Sequence, residues 1–189
     1  MGIVEERIRQ SIAVKERILA DKEILDAIQK AGEMVKETFK VGGKVFLCGN
    51  GGSASDSIHI AAELSGRFEK TRDSLPAISL NADVAALTAI SNDFSFDQVF
   101  ERLISGIIHK EDLLIGISTS GNSENVYRAI CKAHDMGSKT IALLGKDGGK
   151  TKGIADISIV VPEKNTARIQ ESHIMIGHIM CEIAEEDYE

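Results

Sequence analysis

The chain has 189 residues, 43% apolar and 27% charged, with a formal net charge of −7. That length suits one well-filled domain, and the ordinary apolar fraction excludes a disordered or fibrous class. The acidic balance, with no Lys/Arg run interleaved with aromatics, argues against a nucleic-acid surface, and no apolar run approaches the ~20 residues of a membrane span.

In chain order, the first forty residues read as two helices. Ile8, Ile12 and Ile18-Leu19, then Leu25, Ile28 and Met34-Val35, recur at three-to-four spacing between charged residues. Asp21 stands where an N-cap for the second helix belongs, and Gly42-Gly43 stops it. Their apolar stripes have two possible partners, another subunit or the domain's own core. From there strands are predicted at 44–48, 76–80, 112–117, 139–144 and 156–161. Helices are predicted at 53–67, 83–91, 96–109, 123–136 and 166–186. This alternation implies a parallel sheet with helices on both faces, in a single domain over 1–189 made of a helical segment 1–41 and an α/β core 42–189. Met1–Arg7 turns charged at once, unlike a signal peptide. Cys48, Cys131 and Cys181 are scattered and without metal spacing, the usage of reduced thiols in a cytoplasmic protein.

Two serine-glycine loops carry most of the functional signal. Cys48-Gly49-Asn50-Gly51-Gly52-Ser53-Ala54-Ser55 follows the first predicted strand, and Ser118-Thr119-Ser120-Gly121-Asn122-Ser123 follows the third. Glycines let a backbone approach an anion, N–H groups at a helix start point at it, and the helix dipole favours its charge. Hydroxyls add donors without bulk. Two such loops in neighbouring βα units suggest one small phosphorylated ligand at the strand carboxyl ends.

The helix after the first loop carries His59 and Glu63 four residues apart, on one face, with Arg67 continuing the row. Such a row can be an exposed ion-pair stripe; its place behind a glycine loop, in a helix of small residues, gives it a functional reading as well. His178 lies amid Ile174, Met175, Ile179 and Met180, a setting typical of a satisfied core histidine, while His173 and His109 read as surface residues. Asn92-Asp93 reads as a polar turn after an alanine-rich helix.

Other familiar motifs fail on detail. Gly49–Ala54 fits G-x-G-x-x-A, but Leu80-Asn81 stands where a dinucleotide site needs an acidic residue, leaving a dehydrogenase a distant alternative. Gly145–Thr151 looks like a P-loop one residue short, with Leu144 in place of glycine, and reads as a turn after the fourth strand. No G-x-S-x-G elbow or H-E-x-x-H pair is present.

Taken together, these residues resemble the sugar isomerase (SIS) domain family, and within it the phosphoheptose isomerases. The match runs through Cys48–Ser53, His59-x-x-x-Glu63, Gly66-Arg67, Pro76-Ala77-Ile78, Asn92-Asp93, Gly116–Ser123, Gly145–Lys150 and Ala167-Arg168-Ile169-Gln170-Glu171-x-His173. The resemblance implies a five-stranded parallel sheet flanked by helices, Rossmann-like in its three layers, assembled as a homotetramer. It implies conversion of D-sedoheptulose 7-phosphate to D-glycero-D-manno-heptose 7-phosphate, the first step towards bacterial surface heptose. It further implies Glu63 and His178 as acid–base pair. Asn50, Gly51, Gly52, Ser53, Glu63, Arg67, Asn92, Asp93, Ser118, Thr119, Ser120, Ser123 and Gln170 would bind the sugar phosphate, and His59, Glu63, Gln170 and His178 would be zinc ligands.

Gln170 and His178, eight residues apart on one helix, differ by ~12 Å along its axis and ~80° around it. If both reach one metal, they come from different subunits and the site lies at an interface, unless the helix kinks at Gly177. The alternatives are a non-catalytic relative of the replication-initiator-associating type, which lacks the carboxylate and histidine, or an isomerase of another phosphosugar.

Overall fold

The computed structural model describes residues 2–188. Helices α1 (Ile3–Ala20) and α2 (Lys22–Lys40) lead into β1 (Val45–Gly49), α3 (Gly52–Ser65), β2 (Ala77–Ser79), α4 (Val84–Asp93), a 3-10 turn (Phe96–Gln98) and α5 (Val99–Ser105). Then follow β3 (Leu113–Ser118), α6 (Glu124–Asp135), β4 (Lys139–Gly145), a second 3-10 turn (Gly149–Thr151), β5 (Ile157–Val161) and α7 (Thr166–Glu185). Asp21 caps α2 as expected, its carboxylate accepting from the Glu23 and Ile24 amides at 3.0 and 3.2 Å.

All five strands are parallel, in the order β2-β1-β3-β4-β5. β1 and β3 are buried along their whole length, as strands covered on both faces must be, which explains their unbroken apolar runs. Alternate strand residues feed two cores. Val45, Leu47, Ile115 and Ile141 pack with Ile18, Val35, Ile60 and Ile176 from α1, α2, α3 and α7. Phe46, Leu114 and Leu144 pack with Phe100 and Ile130 from α5 and α6 on the opposite face.

Of their two possible partners, the N-terminal helices meet the domain's own core here, and only with part of their apolar surface. Val14, Ile18, Ile28, Ala31 and Val35 dock on this chain's core, while Ile3, Val4, Ile8 and Ile12 stay exposed along α1.

Three expected boundaries move. The single helix predicted over 96–109 is a 3-10 turn and the short α5, which ends at Ser105 with Gly106 as its C-cap; beyond it buried Asp112 holds the turn into β3 by accepting from the His109 amide at 2.8 Å and the Lys44 amide at 2.7 Å. α3 ends at Ser65, where Gly66 turns the chain at φ −86° and ψ −105°. Arg67 consequently leaves the His59–Glu63 row. Asn92-Asp93 is the last part of α4 itself rather than a turn beyond it.

Candidate active site

β1 hands the chain to α3 on one face of the sheet, and β3 hands it to α6 on the other. The crevice between the strand ends is the topological switch point, where open α/β sheets bind ligands. The register pairs Gly49 with Ile117, so the two serine-glycine loops begin level with each other. They are tied directly: Asn50 Nδ2 donates to Asn125 Oδ1 at 2.8 Å, and Asn125 Nδ2 returns a bond to Asn50 Oδ1 at 3.0 Å. α2, α4 and α7 begin under side-chain caps, whereas α3 and α6 begin at Gly51 and Ser123 with none.

The first loop turns at Gly51, whose φ of +57° favours glycine. Asn81 explains the missing acidic residue: it accepts from the Gly49 amide at 3.1 Å and donates to the Gly49 carbonyl at 2.9 Å, locking the end of β1. Ser57 joins this lock through Ser79 at 2.8 Å and Asn81 at 3.0 Å. Ser53 is buried beneath the loop, while Gly51 and Gly52 are exposed on it. The Gln170 amide of α7 lies directly over Gly52, where a Cβ would meet its Nε2 at 2.4 Å.

The second loop is shaped from within and from behind. Ser118 Oγ accepts the Gly121 amide at 3.1 Å and contacts Ser123 Oγ at 2.9 Å. Ser120 Oγ accepts the Asn122 amide at 3.1 Å. The 145–151 segment is a turn, as predicted, and it buttresses this loop. Thr151 donates to the Gly121 carbonyl through its amide at 3.0 Å and its hydroxyl at 2.8 Å. Thr119, Ser120 and Ser123 remain half-buried on the loop surface. Asn92 and Asp93 are exposed at the end of α4, with a 2.9 Å hydrogen bond between their side chains, and Arg67 is exposed beyond α3.

The remaining candidates meet further along α3. His59 Nε2 donates to Glu63 Oε1 at 2.9 Å, and His178 of α7 brings its Nε2 to 3.5 Å from His59 Nε2. His178 is thus half-buried beside the His59–Glu63 pair rather than a core histidine. One nitrogen or oxygen from each of the three residues lies within 4.8 Å of the others. Two imidazoles and a carboxylate are donors suited to a divalent ion such as zinc. The face is open, with the His59 and Glu63 side chains 47% and 27% exposed. α3 and α7 run side by side in the same direction: Gln170 touches Gly52, Gly177 touches Ile60 and His178 touches His59. Within one chain Gln170 therefore belongs to the glycine-loop end, and His178 to the other end, ~12 Å along the helix.

His173 corrects the sequence reading: it is fully buried, and its Nε2 donates to the Leu144 carbonyl at 2.8 Å. Burial holds its imidazole down at about 4, against the opposing pull of that carbonyl. Asn125 and Phe68 went unread in the sequence. A polar residue in the inward row of an amphipathic helix start was the available signal for Asn125, while Phe68, stacked on His178 at 5.4 Å, had none. Asp56, one turn before His59, has a buried carboxylate oxygen with no partner among the described residues, and burial pushes its pKa up against the opposing pull of His59.

The sheet order and the paired loops at its switch point are those of a sugar isomerase domain, and the SIS domain model matches residues 8–145. The chain is 50% identical to the phosphoheptose isomerase of Clostridium acetobutylicum over 186 residues, covering 98% of this chain and 95% of that one. Its fold is similar to that of a phosphoheptose isomerase from Francisella tularensis, with a TM-score of 0.92 and 36% identity over 97% of each chain. It is likewise similar to the phosphoheptose isomerase GmhA from Neisseria gonorrhoeae, with a TM-score of 0.88 and 40% identity over 96% of each chain. The chain belongs to the phosphoheptose isomerase family of SIS-domain proteins.

Proposed function

We propose that this chain is a ketose–aldose isomerase that converts D-sedoheptulose 7-phosphate to D-glycero-D-manno-heptose 7-phosphate. The observation that carries the reading is the convergence of His59, Glu63 and His178 on one open face, beside a helix whose start lies in a glycine loop. A binding protein has no need of a carboxylate and two imidazoles within contact of one another.

The reaction moves a proton between adjacent carbons through an enediol. Glu63 takes the proton from the carbon beside the carbonyl and returns it to the neighbouring carbon, while His178 moves the proton between the two oxygens. Such general acid–base transfer contributes ~10²–10⁴-fold. The two loops hold the phosphate: Ser53 and Ser118 shape them from below, and the amides of Gly51 and Gly52, with Thr119, Ser120 and Ser123, offer donors. Asn50 spans both loops, Gln170 lies over Gly52, and Asn92, Asp93 and Arg67 complete the contacts with the sugar phosphate. Holding the far end of the substrate orients its reacting end.

His59, Glu63 and His178 would hold a zinc ion, with Gln170 as a further ligand. A metal held there would supply Lewis-acid polarisation of the substrate carbonyl and stabilise negative charge on its oxygen. The separation of Gln170 from His178 within a chain supports a site shared between subunits of a homotetramer. The exposed Ile3, Val4, Ile8 and Ile12 of α1 supply an apolar face for such an assembly. Three free cysteines and the lack of any described helix long and apolar enough to cross a membrane support a cytoplasmic enzyme.

A coupled assay comparing sedoheptulose 7-phosphate with fructose 6-phosphate tests the reading. Turnover of the heptulose alone supports it; no turnover of either substrate rejects catalysis, and preference for the hexose reassigns the substrate.

A further inference from the structure

Glu63 and His178 approach each other from different helices, so something has to hold the α3 and α7 ends in register. The loop between α3 and β2 does this through one buried ion pair. Arg72 and Glu185 have side chains only 1% and 2% exposed, with Arg72 Nε donating to Glu185 Oε2 at 2.9 Å. Charges removed from water this completely are stabilising only when their other hydrogen-bonding positions are filled.

Here they are filled by the backbone around the site. Arg72 donates to the carbonyl of Glu63 itself at 3.1 Å and to that of Leu64 at 2.8 Å, satisfying the carbonyls that a helix end leaves free. It also reaches the Asp73 carbonyl at 2.9 Å. The second oxygen of Glu185 accepts the Glu69 amide at 2.9 Å. That bond fixes the backbone beside Phe68, whose ring stacks on the His178 imidazole at 5.4 Å and 27°. Glu185 lies seven residues after His178, two turns along the same face of α7.

We propose that Arg72, Glu185 and Phe68 form a positioning brace that sets the distance and rotation of His178 relative to Glu63. This rests on the reading of those two residues as the acid–base pair. None of the three brace residues takes part in the chemistry. Arg72 and Glu185 clamp the α3 end to the α7 end, and Phe68 carries the clamp to the face of the imidazole. The glycine loop lies at the opposite end of α3, ~10 Å from His59 along the helix, and is left untouched. Loosening the brace therefore lowers kcat without weakening phosphate binding.

The test compares wild-type chain with Glu185→Gln, Phe68→Leu and Phe68→Tyr, each checked for folding by circular dichroism. In Glu185→Gln and Phe68→Leu, kcat falls at least about tenfold with KM within about twofold of wild type, while Phe68→Tyr, which keeps the ring, restores kcat. A second readout needs neither metal nor turnover. In chelator-treated protein labelled at histidine Cε1, the chain's five histidines give five signals, and His178→Gln identifies one of them. Glu185→Gln moves that signal although Glu185 does not touch His178. A folded Glu185→Gln with the His178 signal and kcat unchanged overturns the brace, as does a rise in KM that matches the fall in kcat. If Glu185→Gln does not fold, Phe68→Leu decides by the same kinetic criterion. Wild-type protein inactive on sedoheptulose 7-phosphate would sink the assigned activity, and the His178 signal would still decide the brace.

Discussion

The Nε2 atoms of His59 and His178 lie 3.5 Å apart, although the two residues are 119 positions apart in the chain. Two nitrogens bound to one tetrahedral ion at ~2.0–2.1 Å stand ~3.3–3.4 Å from each other, so the pair is already spaced for a shared metal. Titration calorimetry of chelator-treated protein with Zn(II) is expected to show binding. His59→Ala and His178→Ala should each weaken it by at least about tenfold, the low end of losses seen even for groups behind the ligands. Wild-type protein giving no heat and no competition with a zinc dye would count against the site.

Glu63→Gln keeps the side-chain shape but cannot take up a proton as a carboxylate does. Turnover should fall by ~10²–10⁴-fold. The melting temperature should hold, because the Glu63 side chain is already 27% exposed. Near-normal kcat would remove Glu63 from the role of base.

The two loops should respond differently to an added methyl group. At Gly52 a Cβ meets the Gln170 amide at 2.4 Å, the far end of a flexible side chain that can swing away. Gly52→Ala should fold normally and raise KM. At Gly121 a Cβ meets the Gly148 carbonyl at 1.9 Å, from a backbone at φ +65°. Gly121→Ala should therefore destabilise the protein by roughly 1–3 kcal/mol or more, as overpacking against a fixed backbone does. Urea denaturation of both variants, beside their KM values, checks the contrast.

His173 makes stability depend on pH with a definite sign. Its pKa in the folded protein is about 4 against an ordinary imidazole value of 6.5, so between these the unfolded chain binds the extra proton. Stability is unaffected above about pH 6.5, and the loss grows as pH falls, to about 2 kcal/mol by pH 5, levelling below pH 4. Urea midpoints at pH 7 and pH 5 should separate in wild type and converge in His173→Gln. Equal separation in both proteins would acquit His173.

Sharing of the site between subunits is tested by complementation. Inactive Gln170→Ala and His178→Ala chains, dissociated and reassociated together, should regain part of the wild-type activity, since some sites then receive both intact residues. Mixed oligomers that are verified by mass yet stay inactive would reject a shared site.

Much of the architecture was legible in the sequence because it depends on local chemistry. Val45-Phe46-Leu47 and Leu113–Ile117 are apolar on both strand faces, so they had to be covered on both sides, and the glycines and serines after them had to turn. Asp21 announced its cap because an N-cap acts on amides only two and three residues ahead. The His59–Glu63 contact was equally local, one helical turn apart.

What tertiary structure alone decided lies in contacts between distant segments. His173 read as a surface residue because nothing near it in sequence reveals the Leu144 carbonyl, 29 positions away, that accepts its hydrogen bond. Asn50 and Asn125 meet across 75 positions, and Arg72 and Glu185 across 113. Each of these meetings follows from which strand lies beside which, and in what register, and that choice is made by the whole sheet and both its cores at once. Residue order thus determined the elements, the loops and the residue types available for chemistry. The parallel packing of α3 and α7 on one sheet face determined that Gln170 reaches Gly52 while His178 reaches His59, because two rigid helices side by side can bring together only those residues at equal height along their axes.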